Sequence, residues 1–161
     1  IDNIQPNRPK IEREVLKWVD FDLLCYRAAN PNKLAQMQND RWQNHLDWLA
    51  LNHNVKLAST FNFIKVRQSK ESLAKLKKLI VRYDDFSLVA LMELYSIFGS
   101  LILGLRVLSG SVKWDIAFED SQLETTWQQL SWGNDSELKN RKDSLFKEMM
   151  VVKTYINLLD D

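Results

Sequence analysis

The chain has 161 residues, of which 45% are hydrophobic and 27% are charged, and this length and composition predict one packed domain and exclude a disordered chain. Its 22 basic and 21 acidic residues give a formal net charge of +1, so no overall field favours nucleic acid or an anionic membrane. The single cysteine, Cys25, excludes an internal disulfide and a cysteine-rich zinc site.

Hydrophobic periodicity and breaker residues predict a mostly helical chain. In chain order, the predicted elements are a short helix over 11–18, a segment over 21–28 that is unassigned or extended, a turn at Asn30-Pro31, a helix over 34–51, a strand or ordered loop near 55–66, and helices over 69–82, 86–108, 112–132 and 138–159. Pro6 and Pro9 interrupt the polar start. The predicted fold class is therefore predominantly all-α, a bundle of about five helices with one short strand or ordered loop near residues 55–66.

The pattern over 86–108 is the most apolar part of the chain. Glu93 and Arg106 interrupt it, so its uninterrupted part is shorter than the ~20 residues that a bilayer requires. We therefore expect one central buried helix and no membrane insertion. Small residues at about one-turn spacing predict that a neighbouring helix packs closely against it, and these residues are Gly99, Ser100 and Gly104.

Two further helices close the chain after the break at Ser109-Gly110-Ser111. The pattern over 112–132 places four apolar side chains on one predicted stripe, namely Ile116, Leu123, Trp127 and Leu130. A second break at 133–136 precedes the last helix. The apolar spacing of that helix suits antiparallel packing, with Leu138, Leu145, Met149, Val152, Ile156 and Leu159.

Groups capable of catalysis or metal binding are few. His45 and His53 lie eight residues apart, too far along a helix to share a metal ion, and are interpreted as solvated or core-edge side chains. Cys25 has no nucleophile signature around it, and the four glycines form no phosphate-binding loop. We therefore expect no catalytic residues, no metal, no cofactor and no enzymatic activity.

Carboxylates concentrate on the helix predicted over 112–132, where they are Asp115, Glu119, Asp120 and Glu124. Three interpretations stay open at this point. The acids form a solvated face, or they meet arginine and lysine side chains of a partner with Trp127 and Trp132 as flanking aromatic contacts. A catalytic interpretation requires a matching base, and no second helix offers one in the sequence.

Several stretches resemble the chaperones that assemble the catalytic head of F-type ATP synthase by acting on its α subunit. In chain order, the matching stretches are Asp22-Leu23-Leu24-Cys25-Tyr26-Arg27-Ala28, Gln38 with Trp42, Asp47-Trp48, Gly99-Ser100-Leu101-Ile102-Leu103, and Ala117, Glu119, Ser121, Leu123, Glu124 and Gln128 up to Trp132-Gly133. They occur in the family's order over most of residues 20–133. Asp120 departs from the pattern, because an apolar residue is usual there.

The resemblance implies an assembly chaperone that binds the unassembled α subunit and prevents its aggregation until the β subunit replaces it. It also implies that residues 1–161 are one helical domain, the C-terminal part of a longer protein whose β-rich N-terminal domain is absent. By resemblance, the partner-binding residues are Glu119, Glu124, Gln128 and Trp132. The implied location is the bacterial cytoplasm, or the mitochondrial matrix in a eukaryote, and a monomer is the simpler expectation.

A different client remains the alternative. A helical adaptor or regulatory protein-interaction module would present the same kind of surface, and only the identity of its partner would separate the two functions.

Overall fold

The computed structural model describes residues 4–133 and 135–161. Its helices are α1 (Ile4–Lys17), α2 (Asn32–His53), α3 (Lys70–Ile80), α4 (Asp85–Phe98), α5 (Leu101–Leu108), α6 (Trp114–Ser121), α7 (Leu123–Trp132) and α8 (Ser136–Asp160), with short 3-10 helices over Trp18–Phe21 and Leu23–Cys25. The predominantly all-α class is confirmed, with more helices than predicted because two of the predicted helices are each divided in two. The polar start at residues 1–3 and Asn134 within the predicted break lie outside the described residues.

Two short strands pair in parallel. They are β1 (Tyr26–Arg27) and β2 (Thr60–Phe61), with Tyr26 opposite Thr60 and Arg27 opposite Phe61. The predicted strand near residues 55–66 is therefore confirmed, and the extended part of the 21–28 segment is its partner. This pairing brings the end of the 3-10 segment beside a turn that follows β2.

Helix α1 begins earlier than the sequence predicts. Pro6 lies in its first turn, where the missing N–H of proline needs no partner, and Pro9 lies inside the helix. Arg8 holds this part in place, because its guanidinium is 2.7 Å from Glu12 and 2.6 Å from Asp85 at the start of α4. A tertiary ion pair therefore stabilises a helix start that local pattern alone disfavours.

The prediction of one helix over 86–108 is wrong, because the chain breaks into α4 and α5. Gly99 ends α4 in the left-handed region, with φ of 67°, where glycine has no steric penalty. Ser100 then caps α5 by accepting a hydrogen bond from the Leu103 N–H at 3.1 Å. Gly104 alone fulfils the predicted packing role, since a Cβ there would lie 3.0 Å from Leu91 Cδ1 on α4.

The single helix predicted over 112–132 is also two helices, which join at Gln122. The change of phase at this junction disrupts the predicted stripe. Leu123 is buried, but Ile116 and Leu130 are exposed. The buried side of α6 consists instead of Ala117 and Phe118 together with Asp120.

The core lies around the α4–α5 hairpin, which α1, α2, α6 and α8 surround. Its buried side chains include Leu88, Leu91, Leu94, Ile102 and Leu103. Within the described residues, no helix combines the length and the apolar character that crossing a bilayer demands. The expected buried central position of this apolar sequence is confirmed, in two helices rather than one.

Candidate partner-binding groove

An open groove of about 540 Å³ separates the segment around β1 from α7. One wall comes from the 3-10 segment, β1 and the start of α2, including Leu23, Pro31 and Leu34, and the other comes from α7. Most of the lining surface is apolar. Apolar concave surfaces with few polar groups are typical of binding sites.

Two aromatic side chains at the rim are almost fully exposed. Phe63 is 95% exposed and Trp132 is 80% exposed, and both line the groove. Asn62 and Phe63 have φ values of 55° and 62°, so the turn after β2 holds a bulky aromatic residue in a backbone region that such residues rarely adopt. Exposed aromatic surface beside an apolar groove is typical of protein interaction sites.

Glu124 lies on the α7 wall and is connected to the opposite wall through α2. Gln38 donates to Glu124 Oε1 at 3.0 Å and accepts a hydrogen bond from the Ala28 N–H at 2.7 Å. Desolvation raises the pKa of Glu124, while the bond from Gln38 opposes this shift. The carboxylate is therefore a positioned and partly desolvated acid at the edge of an apolar surface.

Three of the four predicted partner-binding residues lie together. Glu124, Gln128 and Trp132 line the groove from α7 at intervals of four residues, which places them on one face of the helix. Glu119 lies elsewhere, on α6, where its carboxylate is 3.1 Å from Lys142 of α8. The structure thus separates Glu119 from the other three.

A buried polar cluster that the sequence did not predict joins α2, α5 and α6. His45 Nε2 lies 2.7 Å from Asp120 Oδ2, and His45 Nδ1 lies 2.9 Å from Arg106 Nη1. Arginine only donates, so Nδ1 accepts and Nε2 carries the proton that is donated to Asp120. Arg41 Nη2 is 2.5 Å from Asp120 Oδ1, although that oxygen forms no well-aligned hydrogen bond.

This cluster corrects two interpretations. Asp120 is buried, so it is not part of a solvated acidic face, and of the two interpretations of His45, solvated or core-edge, the solvated one is wrong because His45 is buried too. The statement that no second helix offers a base beside the acids is also wrong, since His45 of α2 contacts Asp120. Neither residue lines the groove. The pair connects helices within the core, and the departure of Asp120 from the family pattern is matched by a histidine and two arginines.

Asp22, the first residue of the matched 22–28 stretch, is also buried. Its carboxylate accepts hydrogen bonds from the Leu24 N–H at 3.0 Å and from the Ile102 N–H at 3.1 Å at the start of α5. Burial raises the pKa of Asp22 to about 6, and these hydrogen bonds oppose the rise. The stretch therefore fixes the groove wall to the central hairpin.

Within the described residues, no group of three histidine, cysteine, aspartate or glutamate side chains is arranged to hold a metal ion. The fold and the groove place the protein in the class of predominantly α-helical domains that present an open apolar surface beside a few positioned polar groups.

The particular family follows from similarity to known proteins. The model of the family described as ATP12 chaperone protein matches residues 1–50. The crystal structure of Atp12 from Paracoccus denitrificans is 30% identical in sequence with a TM-score of 0.90, over 96% of this chain and 66% of that one. A candidate chaperone from Agrobacterium tumefaciens is 27% identical with a TM-score of 0.91, over 99% of this chain and 60% of that one.

The chain belongs to the ATP12 chaperone family, which confirms the resemblance carried by the sequence motifs. It spans 66% and 60% of the lengths of the Paracoccus and Agrobacterium proteins.

Proposed function

We propose that the chain is an assembly chaperone that binds the unassembled α subunit of F-type ATP synthase. The supporting observation is the apolar groove with exposed Phe63 and Trp132 at its rim, in a member of the ATP12 chaperone family. An exposed subunit interface is an aggregation hazard until its partner covers it. The proposed sites of action are the bacterial cytoplasm and, in a eukaryote, the mitochondrial matrix.

The proposed mechanism is reversible capping without a chemical step. The groove covers an interface of the α subunit, and the β subunit displaces the chaperone because the final assembly binds the α subunit more tightly. Aromatic side chains that are exposed in the free protein become buried in the complex, and such residues dominate binding energy at interfaces. No nucleotide hydrolysis is required for this exchange.

Glu124, Gln128 and Trp132 are the α7 residues proposed to contact the client. Glu119 remains a predicted contact by resemblance, but its ion pair with Lys142 lies outside the groove. A client that occupies only the groove would contact the first three residues and leave Glu119 free of contact. The two acids therefore make different predictions in the same binding assay.

Titration of the purified chain with isolated α subunit tests this proposal. Glu124→Lys should weaken binding at least about tenfold, the effect expected when a charge facing a partner is reversed. For a client that occupies only the groove, Glu119→Lys should leave the affinity within about twofold, whereas a larger loss would support the contact implied by resemblance. Glu93→Lys, at an exposed acid of α4 outside the groove, is the matched control. Equal affinities for the wild type and all three variants would remove the groove from the mechanism.

A helical adaptor with a different client is the alternative. Mass spectrometry of proteins that co-purify with the chain separates the two, because an ATP synthase subunit should be prominent only under the first proposal. Co-expression provides the functional test. The α subunit should stay soluble with the wild type and aggregate when the chain is omitted.

A further inference from the structure

Arg27 is a buried cation that lines the groove. It lies on β1 and is only 8% exposed. Among lysines and arginines in residues 4–133 and 135–161, no other side chain is buried to this degree. The groove therefore has a positive charge on the β1 wall, across from Glu124 on α7.

The contacts of Arg27 hold the guanidinium in place without neutralising it. Its Nε donates to the Leu24 carbonyl at 2.7 Å, and its Nη2 donates to Gln43 Oε1 at 3.2 Å. Its Cζ lies 5.9 Å from the centre of the Trp42 ring. All of these direct partners are neutral. Asp47 of α2, which accepts a hydrogen bond from Gln43 at 2.9 Å, attracts the guanidinium and opposes the lowering of its pKa by burial, but forms no ion pair with it within 4 Å.

No carboxylate in the described part of the chain lies within 4 Å of Arg27. Arg8 provides a contrast, since it is more exposed than Arg27 and still contacts both Glu12 and Asp85. Buried charges in proteins are normally paired, because an unpaired charge in an apolar environment is strongly unfavourable. Burial lowers the pKa of Arg27, but an arginine stays protonated at neutral pH.

We propose that Arg27 binds a carboxylate of the client, an aspartate or glutamate side chain on the segment of the α subunit that enters the groove. This inference rests on the proposed function and specifies the chemistry of its client. A guanidinium presents five N–H groups in a planar fork that matches a carboxylate, and two are used in the bonds to Leu24 and Gln43. The remaining N–H groups are available to the client carboxylate, which would supply the negative half of the ion pair.

The opposite wall restricts the ligand further. Glu124 carries the same charge sign as the expected ligand and is not within 4 Å of Arg27. A multiply charged anion such as a phosphate would face repulsion from it. A client segment with a single carboxylate among apolar residues can direct that carboxylate towards Arg27 on β1. The same segment can place an uncharged or basic residue beside Glu124 on α7.

Titration of the Arg27→Gln variant with isolated α subunit tests whether the positive charge of Arg27 contributes to binding. Affinity should fall at least about tenfold and lose part of its dependence on salt, because one buried charge pair is removed. The matched control is Arg13→Gln, an exposed arginine of α1, which should bind as the wild type does. Circular dichroism and the urea midpoint report whether each variant is folded.

Zero-length cross-linking tests the contact itself and does not depend on Arg27→Gln folding. The amine introduced by Arg27→Lys should form an amide with an aspartate or glutamate of the α subunit when a carbodiimide is added, and mass spectrometry identifies the linked peptides. Cross-links from native lysines serve as the internal control.

The outcomes separate the two proposals. Loss of affinity in Arg27→Gln together with a cross-link at position 27 supports the carboxylate contact. Wild-type affinity in folded Arg27→Gln, or an Arg27→Lys complex that gives cross-links only at native lysines, overturns it while the chaperone function stands. If the wild type itself does not bind the α subunit, the proposed function fails, and this inference fails with it.

Discussion

The buried pair of His45 and Asp120 gives a quantitative test of how the helices beside the groove are held. The perturbation is Asp120→Leu, His45→Leu and their combination. The carboxylate accepts from the His45 Nε2–H at 2.7 Å, and both side chains are more than 95% buried. The Trp42 indole donates to the Asp120 backbone carbonyl, so this bond survives all three changes.

Each single change leaves one buried polar group without its partner. Asp120→Leu leaves the His45 Nε2–H unsatisfied, which destabilises by about 2–3 kcal/mol. His45→Leu leaves a buried carboxylate with only Arg41, which is 49% exposed, and removes the acceptor of the Arg106 guanidinium. These losses together destabilise by about 3 kcal/mol. The double variant replaces both groups with apolar ones and should lie within about 1 kcal/mol of the wild type. The expected coupling free energy is therefore at least about 4 kcal/mol in favour of the pair.

Urea unfolding monitored by circular dichroism at constant pH measures the cycle. The slope against urea should not change, since the exposed surface is nearly the same in all variants. Glu119→Leu, at an exposed acid on the same helix, is the control. It removes a surface ion pair with Lys142 and should change stability by less than about 1 kcal/mol. Additive single changes, with a double variant less stable than either one, would refute the reasoning.

Three further predictions concern other parts of the molecule. Because burial raises the pKa of Asp22 to about 6, the ionised form is disfavoured in the folded state, so stability relative to Asp22→Asn should fall by about 2–3 kcal/mol between about pH 4 and pH 7 in urea titrations. Gly104→Val should lower the free energy of unfolding by about 2 kcal/mol, since even a Cβ meets Leu91 at 3.0 Å. Phe63→Asn suits the left-handed backbone at that turn and should not reduce stability. Trp132→Ser should change the free energy of unfolding by less than about 0.5 kcal/mol. Both variants should weaken binding of the α subunit in a titration.

The sequence predicts helix positions well where local signals decide them. Ser69 and Asp84 accept hydrogen bonds from the Ser72 and Ser87 N–H groups, and these caps begin α3 and α4 close to the starts of the helices predicted over 69–82 and 86–108. The break at Gly99 was missed because apolar residues continue across it. A residue distant in the sequence also stabilises the break, since the Ile102 N–H at the start of α5 donates to Asp22, 80 residues away.

The family resemblance names the α7 residues of the groove, and the sequence does not predict the other half. Glu124, Gln128 and Trp132 recur every four residues, so the sequence places them on one helix face. Phe63 and Arg27 reach the same groove through the pairing of β1 with β2, a contact that no local pattern encodes. The burial of His45 was missed for the same reason, because its partner lies 75 residues away.

Helix α2 connects the two walls of the groove. Gln38, Trp42 and His45 lie at spacings of four and three on one face of α2, and each makes a hydrogen bond to the α6–α7 segment: Gln38 to Glu124, Trp42 to the Asp120 carbonyl and His45 to the Asp120 carboxylate. Gln38 also holds Ala28 beside β1 on the opposite wall. Both walls are thus fixed to the same helix face. A substitution such as Gln38→Leu should therefore alter client affinity without removing a contact at the rim, because it releases Ala28 and Glu124 together.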